Sequence, residues 1–185
     1  MVIGWTPTVF VDRKGRPRDR GLWALHQNQE PRGDPRRMLH QQFPCKARRP
    51  KSLLVFVNPF GGKQSAKKIF AEQVKSLLED AQIQITVQET KHELHAKEVA
   101  RSLDITKYHG IVCVSGDGIL VEVVNGLLQR EDWDTAIKMP LGVVPAGNGM
   151  AKSLLDSVGD PCEVANAVLA IIRGSKRPLD VATIT

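Results

Sequence analysis

The tetrad Ser115-Gly116-Asp117-Gly118 closes the apolar run from Gly110 to Val114. It opens a helical pattern of Ile119, Leu120, Val123, Val124, Leu127 and Leu128, and so sits on a strand-to-helix turn. Such turns bind anions. Two glycines let the backbone come close to a ligand, and the unpaired N–H groups of the following helix attract negative charge. A carboxylate in that position repels phosphate oxygens, which suits Asp117 to a metal ion or to the proton of an attacking hydroxyl. Alone, the tetrad would read as a helix cap. Three other turns favour the catalytic reading.

Each of the three follows a strand. Asn58-Pro59-Phe60-Gly61-Gly62-Lys63 comes after the apolar run Leu53 to Val57, and Thr90 lies beyond the alternating Ile83, Ile85 and Val87. Pro145-Ala146-Gly147-Asn148-Gly149 comes after Pro140 to Val144. Separately these are ordinary turn chemistry. Together they would meet at the C-terminal ends of parallel strands, where the ligands of such sheets bind. The scheme is neither G-x-x-x-x-G-K-[ST] nor G-x-G-x-x-G at the first strand end, so it belongs to another class of phosphate site.

Positioning four such turns requires alternating strands and helices. Ala66, Ile69, Phe70, Val74, Leu77 and Leu78 mark one helical face, and Leu94, Val99 and Leu103 suggest a helix around residues 94–103. The helix opened by the tetrad runs to Gln129. A short helix through Leu155 follows the fourth turn, and Val164, Val168, Ile171 and Ile172 mark an amphipathic one. The fold class is therefore α/β, a parallel sheet covered by helices. Residues 1–51, with Pro-Arg-Gly-Asp-Pro stretches and no sustained periodicity, read as a basic and mostly disordered segment.

The 185 residues suit one domain with attachments. The net charge of +6 divides unevenly: residues 1–51 hold 12 Lys and Arg against 4 Asp and Glu, leaving 14 against 16 for the remainder. With the basic excess confined to that segment and no stacking aromatics beside it, nucleic acid is not an expected partner, although a basic arm keeps that idea open. Cysteines 45, 113 and 162 lack paired spacing, which fits reduced thiols in the cytoplasm. No apolar run approaches the roughly 20 residues of a membrane span, and no secretory h-region opens the chain. A soluble or peripherally membrane-attached chain is expected.

The turn residues carry a resemblance. N-P-x-G-G after the first strand, S-G-D-G after the third and P-A-G after the fourth resemble the catalytic domain of diacylglycerol-kinase-type lipid kinases. The continuation Ile119 to Leu127, with Arg130, Asp132 and Trp133, is similar in particular to sphingosine kinases. The resemblance covers about residues 52–185. It implies a Rossmann-like nucleotide-binding domain over 52–176, with 177–185 the start of a β-rich lipid-binding domain otherwise missing. It further implies ATP and Mg²⁺ and phosphoryl transfer to the primary hydroxyl of a sphingoid base. Asp117 would be the general base. Asn58, Pro59, Gly61, Gly62, Thr90, Ser115, Gly116, Gly118, Glu122, Pro145, Gly147 and Asn148 would surround the nucleotide, and Asp180 would approach substrate. Glu122 also belongs, with Gly118, Asn125 and Gln129, to a polar stripe on its helix.

Two departures qualify what the resemblance implies. Phe60 stands where many relatives carry a basic residue. The fourth turn reads Pro145-Ala146-Gly147-Asn148-Gly149-Met150 where the family has P-x-G-[ST]-G-N, so either Asn148 and Met150 are substitutions or two residues are absent; the continuation into Ala151-Lys152-Ser153 favours the deletion. A non-catalytic nucleotide-binding or regulatory module is the alternative function, and diacylglycerol or ceramide the alternative acceptor. His92 and His95 have one-turn spacing, yet no third ligand accompanies them and no metal site is assigned. Trp133 reads as a loop anchor, and the arginines of residues 16–37 as a solvated tail rather than a lipid-headgroup contact.

Overall fold

A computed structural model describes residues 3–6, 49–60, 65–115, 117–146, 164–174, 176 and 180–183. They fall into two compact units. The smaller contains β1 (Ile3–Thr6) and β6 (Asp180–Thr183), paired antiparallel with Ile3 opposite Thr183 and Thr6 opposite Asp180. Ile3–Thr6 belongs to the amino-terminal segment that the sequence leads one to expect as mostly disordered.

The larger unit is a four-stranded parallel sheet of order β3-β2-β4-β5. Its strands are β2 (Ser52–Val57), β3 (Gln84–Glu89), β4 (Gly110–Ser115) and β5 (Leu141–Pro145). The central strands β2 and β4 are buried almost throughout, as strands covered on both faces must be. Edge strand β3 is largely exposed, and its Val87 is 42% accessible.

Alternation along the strands divides the core in two. Leu53, Val55, Val57, Val112, Val114 and Val144 join one cluster with Phe70, Val74, Leu78, Val168 and Ile172. Their intervening neighbours Leu54, Phe56, Ile111 and Cys113 point to the opposite face. Right-handed crossovers account for the layering: the chain moves one way from β2 to β3 and the other way through β4 to β5, so its helices fall on opposite faces. The direction reverses between β2 and β4, which makes their C-terminal ends the topological switch point.

After β2, α1 (Ala66–Ile69), a π-helical turn (Phe70–Val74) and α2 (Lys75–Asp80) run on as one helical rod. Ala66, Phe70, Val74 and Leu78 repeat every four residues and would drift around a 3.6-residue helix. The wider π turn absorbs that drift, and all four are buried.

The helix expected around 94–103 forms as α3 (His95–Ser102), but on a different face. Leu94 is 48% exposed, and the buried residues are Ala96 and Ala100. Small residues face α4 (Asp117–Leu128), where a Cβ on Gly126 would overlap the Lys97 carbonyl and lie 2.8 Å from Ala100 Cβ. The two helices therefore cross at close range. Trp133 opens the short α5 (Trp133–Ala136) half exposed, and α6 (Val164–Arg173) packs on β5, with Ile171 filling the space above Gly142. The helix expected through Leu155 lies outside the described residues.

Candidate functional site

Strand register brings the turns together. Val57 is opposite Glu89 on one side and Val114 on the other, and Ser115 is opposite Pro145. Asn58, Thr90, Ser115 and Pro145 thus stand along one edge of the sheet. Backbone bonds extend the ladder by a rung at each flank: Thr90 N–H donates to Val57 O at 3.0 Å, and Ala146 N–H to Ser115 O at 3.3 Å.

At the β2 end Asn58 Oδ1 accepts from Phe60 N–H at 2.9 Å and from Thr90 Oγ1 at 3.3 Å. One oxygen thus ties two strand ends, and Thr90 is only 3% accessible. Beside them lies a cleft of about 380 Å³ lined by Asn58, Phe60, Thr90, Lys91, His92, Glu93, Ile119 and Glu122. Its walls are mixed: the Phe60 ring stands 67% exposed, Ile119 is buried, and the rest carry polar or charged groups. A depression of about 420 Å³ at Arg101 and Gln129 to Asp132 lies away from the strand ends.

At the β4 end, Ser115 closes the strand with 3% accessibility, and α4 begins at Asp117. The strand-to-helix change is therefore tighter than the expected four-residue turn. The first N–H groups of this 12-residue helix lack intrahelical acceptors and form a positive pole at the switch point. Gly118 is exposed, with no atom within 4 Å of where its Cβ would be. One turn on, Glu122 is half buried, and its Oε2 accepts from Ala96 N–H of α3 at 3.2 Å. Beneath it, burial, with the Glu122 charge second, pushes the Cys113 thiol up to about 12.

The polar stripe changes character along α4. Gly118 and Gln129 are exposed, whereas Asn125 is buried at 9% accessibility, and its Oδ1 has no hydrogen-bond partner among the described residues.

Gly61, Gly62, Gly116, Gly147 and Asn148 lie outside the described residues, as does the departure at 145–150 beyond Ala146. Pro59 is half buried beside Asn58, and Pro145 ends β5 buried. Asp180 opens β6 in the smaller unit. The His92 and His95 rings meet tilted, centroids 4.8 Å apart; His95 Nδ1 accepts from Lys91 N–H at 3.3 Å, and His92 Nε2 lies 3.8 Å from Glu98. No group of three or more His, Cys, Asp or Glu able to hold a metal occurs among the described residues.

Several cleft residues were not singled out by sequence. Ile119 reads as core, while Lys91 and Glu93 carry no motif. Ser65 Oγ donates to Ala146 O at 3.1 Å, tying the segment after the first turn to the end of β5 across 81 residues. Arg130, named in the sequence only as part of the resemblance, binds Asp132 and three carbonyls at the end of α3.

Comparison with known proteins agrees with this arrangement. Over 139 residues the chain is 70% identical to sphingosine kinase 1 of Arabidopsis thaliana, and over 138 residues 66% identical to sphingosine kinase 2 of that plant. Each match covers 74% of this chain and 29% of the relative, so the chain spans under a third of their length. Human sphingosine kinase 2 is 38% identical over 144 residues, covering 74% of this chain and 22% of that protein. The crystal structure of a diacylglycerol kinase from Bacillus anthracis superposes with a TM-score of 0.54 at 23% identity, covering 68% of this chain and 41% of that one, a likeness of fold. Residues 52–184 match the family described as the diacylglycerol kinase catalytic domain, which spans both central strands and all four turns, and the chain belongs to that family.

Proposed function

We propose that this domain supports ATP-dependent transfer of the γ-phosphoryl group to the primary hydroxyl of a sphingoid base. The observation that carries the reading is the convergence of Asn58, Thr90, Ser115 and the α4 N-terminus at the topological switch point. Close identity to sphingosine kinases supports the choice of acceptor over diacylglycerol or ceramide.

Phosphoryl transfer asks mainly for positioning and charge neutralisation. In this proposal Asn58, Thr90, Ser115 and Glu122 position the nucleotide, together with Pro59, Gly61, Gly62, Gly116, Gly118, Pro145, Gly147 and Asn148. The α4 N–H groups face phosphate oxygens. The acceptor hydroxyl gives its proton to the Asp117 carboxylate while its oxygen bonds to the γ-phosphorus. The bond from that phosphorus to the β–γ bridging oxygen breaks, and ADP leaves. Mg²⁺ when bound neutralises charge on the phosphates. A site of one or two carboxylates beside substrate phosphates suits this ion, which keeps several waters, and the Glu122 carboxylate at the cleft fits that pattern.

No described helix is long and apolar enough to cross a membrane. A cytoplasmic domain meeting its lipid at a membrane surface agrees with that.

The test exchanges this chain for the matching segment of the Arabidopsis sphingosine kinase 1 relative and follows radiolabel from γ-labelled ATP into sphingosine. Transfer is expected, falling about 10²–10⁴-fold with Asp117→Asn. Transfer unaffected by that substitution removes Asp117 as the base. ATP binding without transfer favours a non-catalytic nucleotide module.

A further inference from the structure

We propose that Arg130 is a positioning residue: by holding the C-terminal end of α3 it fixes, through the length of that helix, the Thr90 to Glu93 wall of the strand-end cleft. The consequence for ligand rests on the nucleotide reading above.

Arg130 lies just past α4, with its side chain 13% exposed. One guanidinium nitrogen donates to the carbonyls of Ala100, Arg101 and Leu103 at 3.3, 2.8 and 2.7 Å. Carbonyls at a helix end lack intrahelical donors and form the negative pole of the dipole, so a fixed cation suits them. The other two nitrogens grip the Asp132 carboxylate at 2.7 and 3.0 Å, a bidentate pair that sets the plane of the group.

The opposite end of α3 is held with opposite charge. Glu122 accepts from Ala96 N–H at 3.2 Å, placing a carboxylate at the positive pole. Between these anchors Gly126 allows near contact with Lys97 and Ala100. Glu122 and Arg130 are eight residues apart, and α3 itself has eight residues, roughly 12 Å of helix. The rod is thus fastened at its start and middle to α4 and at its end to the segment just past α4.

What the rod carries is the cleft wall. Leu94, at φ 64°, turns the chain directly into α3, and His95 accepts from Lys91 N–H. Lys91, His92 and Glu93 line the cleft together with Ile119 and Glu122. A tilt released at the Arg130 end therefore displaces residues at the far end of the helix.

Hydrogen exchange on the 185-residue chain, read separately at residues 91–96 and 100–104, decides the matter. It is paired with Mg²⁺-ATP titration by displacement of a fluorescent ATP analogue. Arg130→Lys keeps the charge but cannot bridge three carbonyls and a carboxylate plane. It is expected to speed exchange about tenfold in both segments and weaken Mg²⁺-ATP about tenfold, while β2 and β4 amides stay protected and Lys75→Ala changes neither. Faster exchange confined to 100–104, with affinity unchanged, makes Arg130 a local cap and overturns the proposal. If the wild-type chain binds no Mg²⁺-ATP, the nucleotide reading fails, and exchange at 91–96 still decides the clamp. Should Arg130→Lys unfold the domain, Asp132→Asn frees the guanidinium plane more gently and must move 91–96 in the same direction; no movement there overturns the clamp.

Discussion

Thr90 Oγ1 and Phe60 N–H both donate to Oδ1 of Asn58, at 3.3 and 2.9 Å, so a single amide oxygen joins the ends of β2 and β3. That leaves the Asn58 NH₂ as a donor at the cleft, without a hydrogen bond among the described residues. On the proposed nucleotide reading, the oxygen ties the strands and the nitrogen is the atom that meets the ligand. Asn58→Asp keeps the acceptor and replaces the donor by an anion. We expect its melting temperature to stay within about 2 °C of wild type while Mg²⁺-ATP affinity falls about 10–100-fold, the range for a hydrogen bond to a charged group. Asn58→Ala should lose both. Mg²⁺-ATP affinity kept in Asn58→Asp and lost only in Asn58→Ala would make Asn58 a strand tie only.

Gly126 sets how closely α3 approaches α4. A methyl group there overlaps the Lys97 carbonyl and meets Ala100 Cβ at 2.8 Å, and backbone cannot yield as a flexible side chain would. Gly126→Ala is expected to destabilise by about 1–3 kcal/mol, the usual cost of overpacking, despite the better helix propensity of alanine. The urea midpoint measures it. An unchanged or higher midpoint would mean the helices separate without cost.

The strands were legible because central parallel strands are continuous apolar runs, as Leu53 to Val57 and Gly110 to Val114 are. Turn placement followed, since a strand end locates the residue after it. The packing of α3 was not legible. Hydrophobic periodicity weights Leu94, Val99 and Leu103, whereas the contact uses Ala96, Ala100 and Gly126, small residues whose lack of bulk is what allows close approach. Glu122 was found as a polar residue one turn into a helix, but its bond to Ala96 depends on a segment 26 residues away. Arg130 was named only as part of the resemblance, and its contacts were not foreseen: its carbonyl partners lie 27 to 30 residues upstream and contribute backbone atoms, which leave no trace in residue types.

Acid should reveal the Arg130 pair. Hydrogen bonds from Arg130 hold the Asp132 carboxyl below the usual carboxylate range. A carboxylate depressed in the folded state stabilises it above the unfolded value of about 3.9, and that contribution disappears as pH falls through the lower folded value. Asp132→Asn should therefore be less stable than wild type at pH 6, and the two urea midpoints should converge as pH drops below about 4. A gap that stays constant with pH would assign the difference to packing instead of charge.

At the other end of the scale stands Cys113, buried in β4 with its thiol raised to about 12, chiefly by burial and secondarily by the charge of Glu122. An unfolded thiol ionises near 8.5, so the stabilisation is complete below that pH and is lost as pH rises from there toward the folded value. Two measurements follow from the same physics. Iodoacetamide at pH 8.5 should label the Cys113 peptide in guanidinium chloride but not in the native chain, because the thiolate is the nucleophile and the folded site excludes it. Wild-type stability should also fall between pH 9 and 11 by up to about 1.4 kcal/mol per pH unit more steeply than that of Cys113→Ala, which has no thiol to ionise. Rapid labelling of the native chain would mean that β4 opens locally at Cys113, well below the cost of global unfolding.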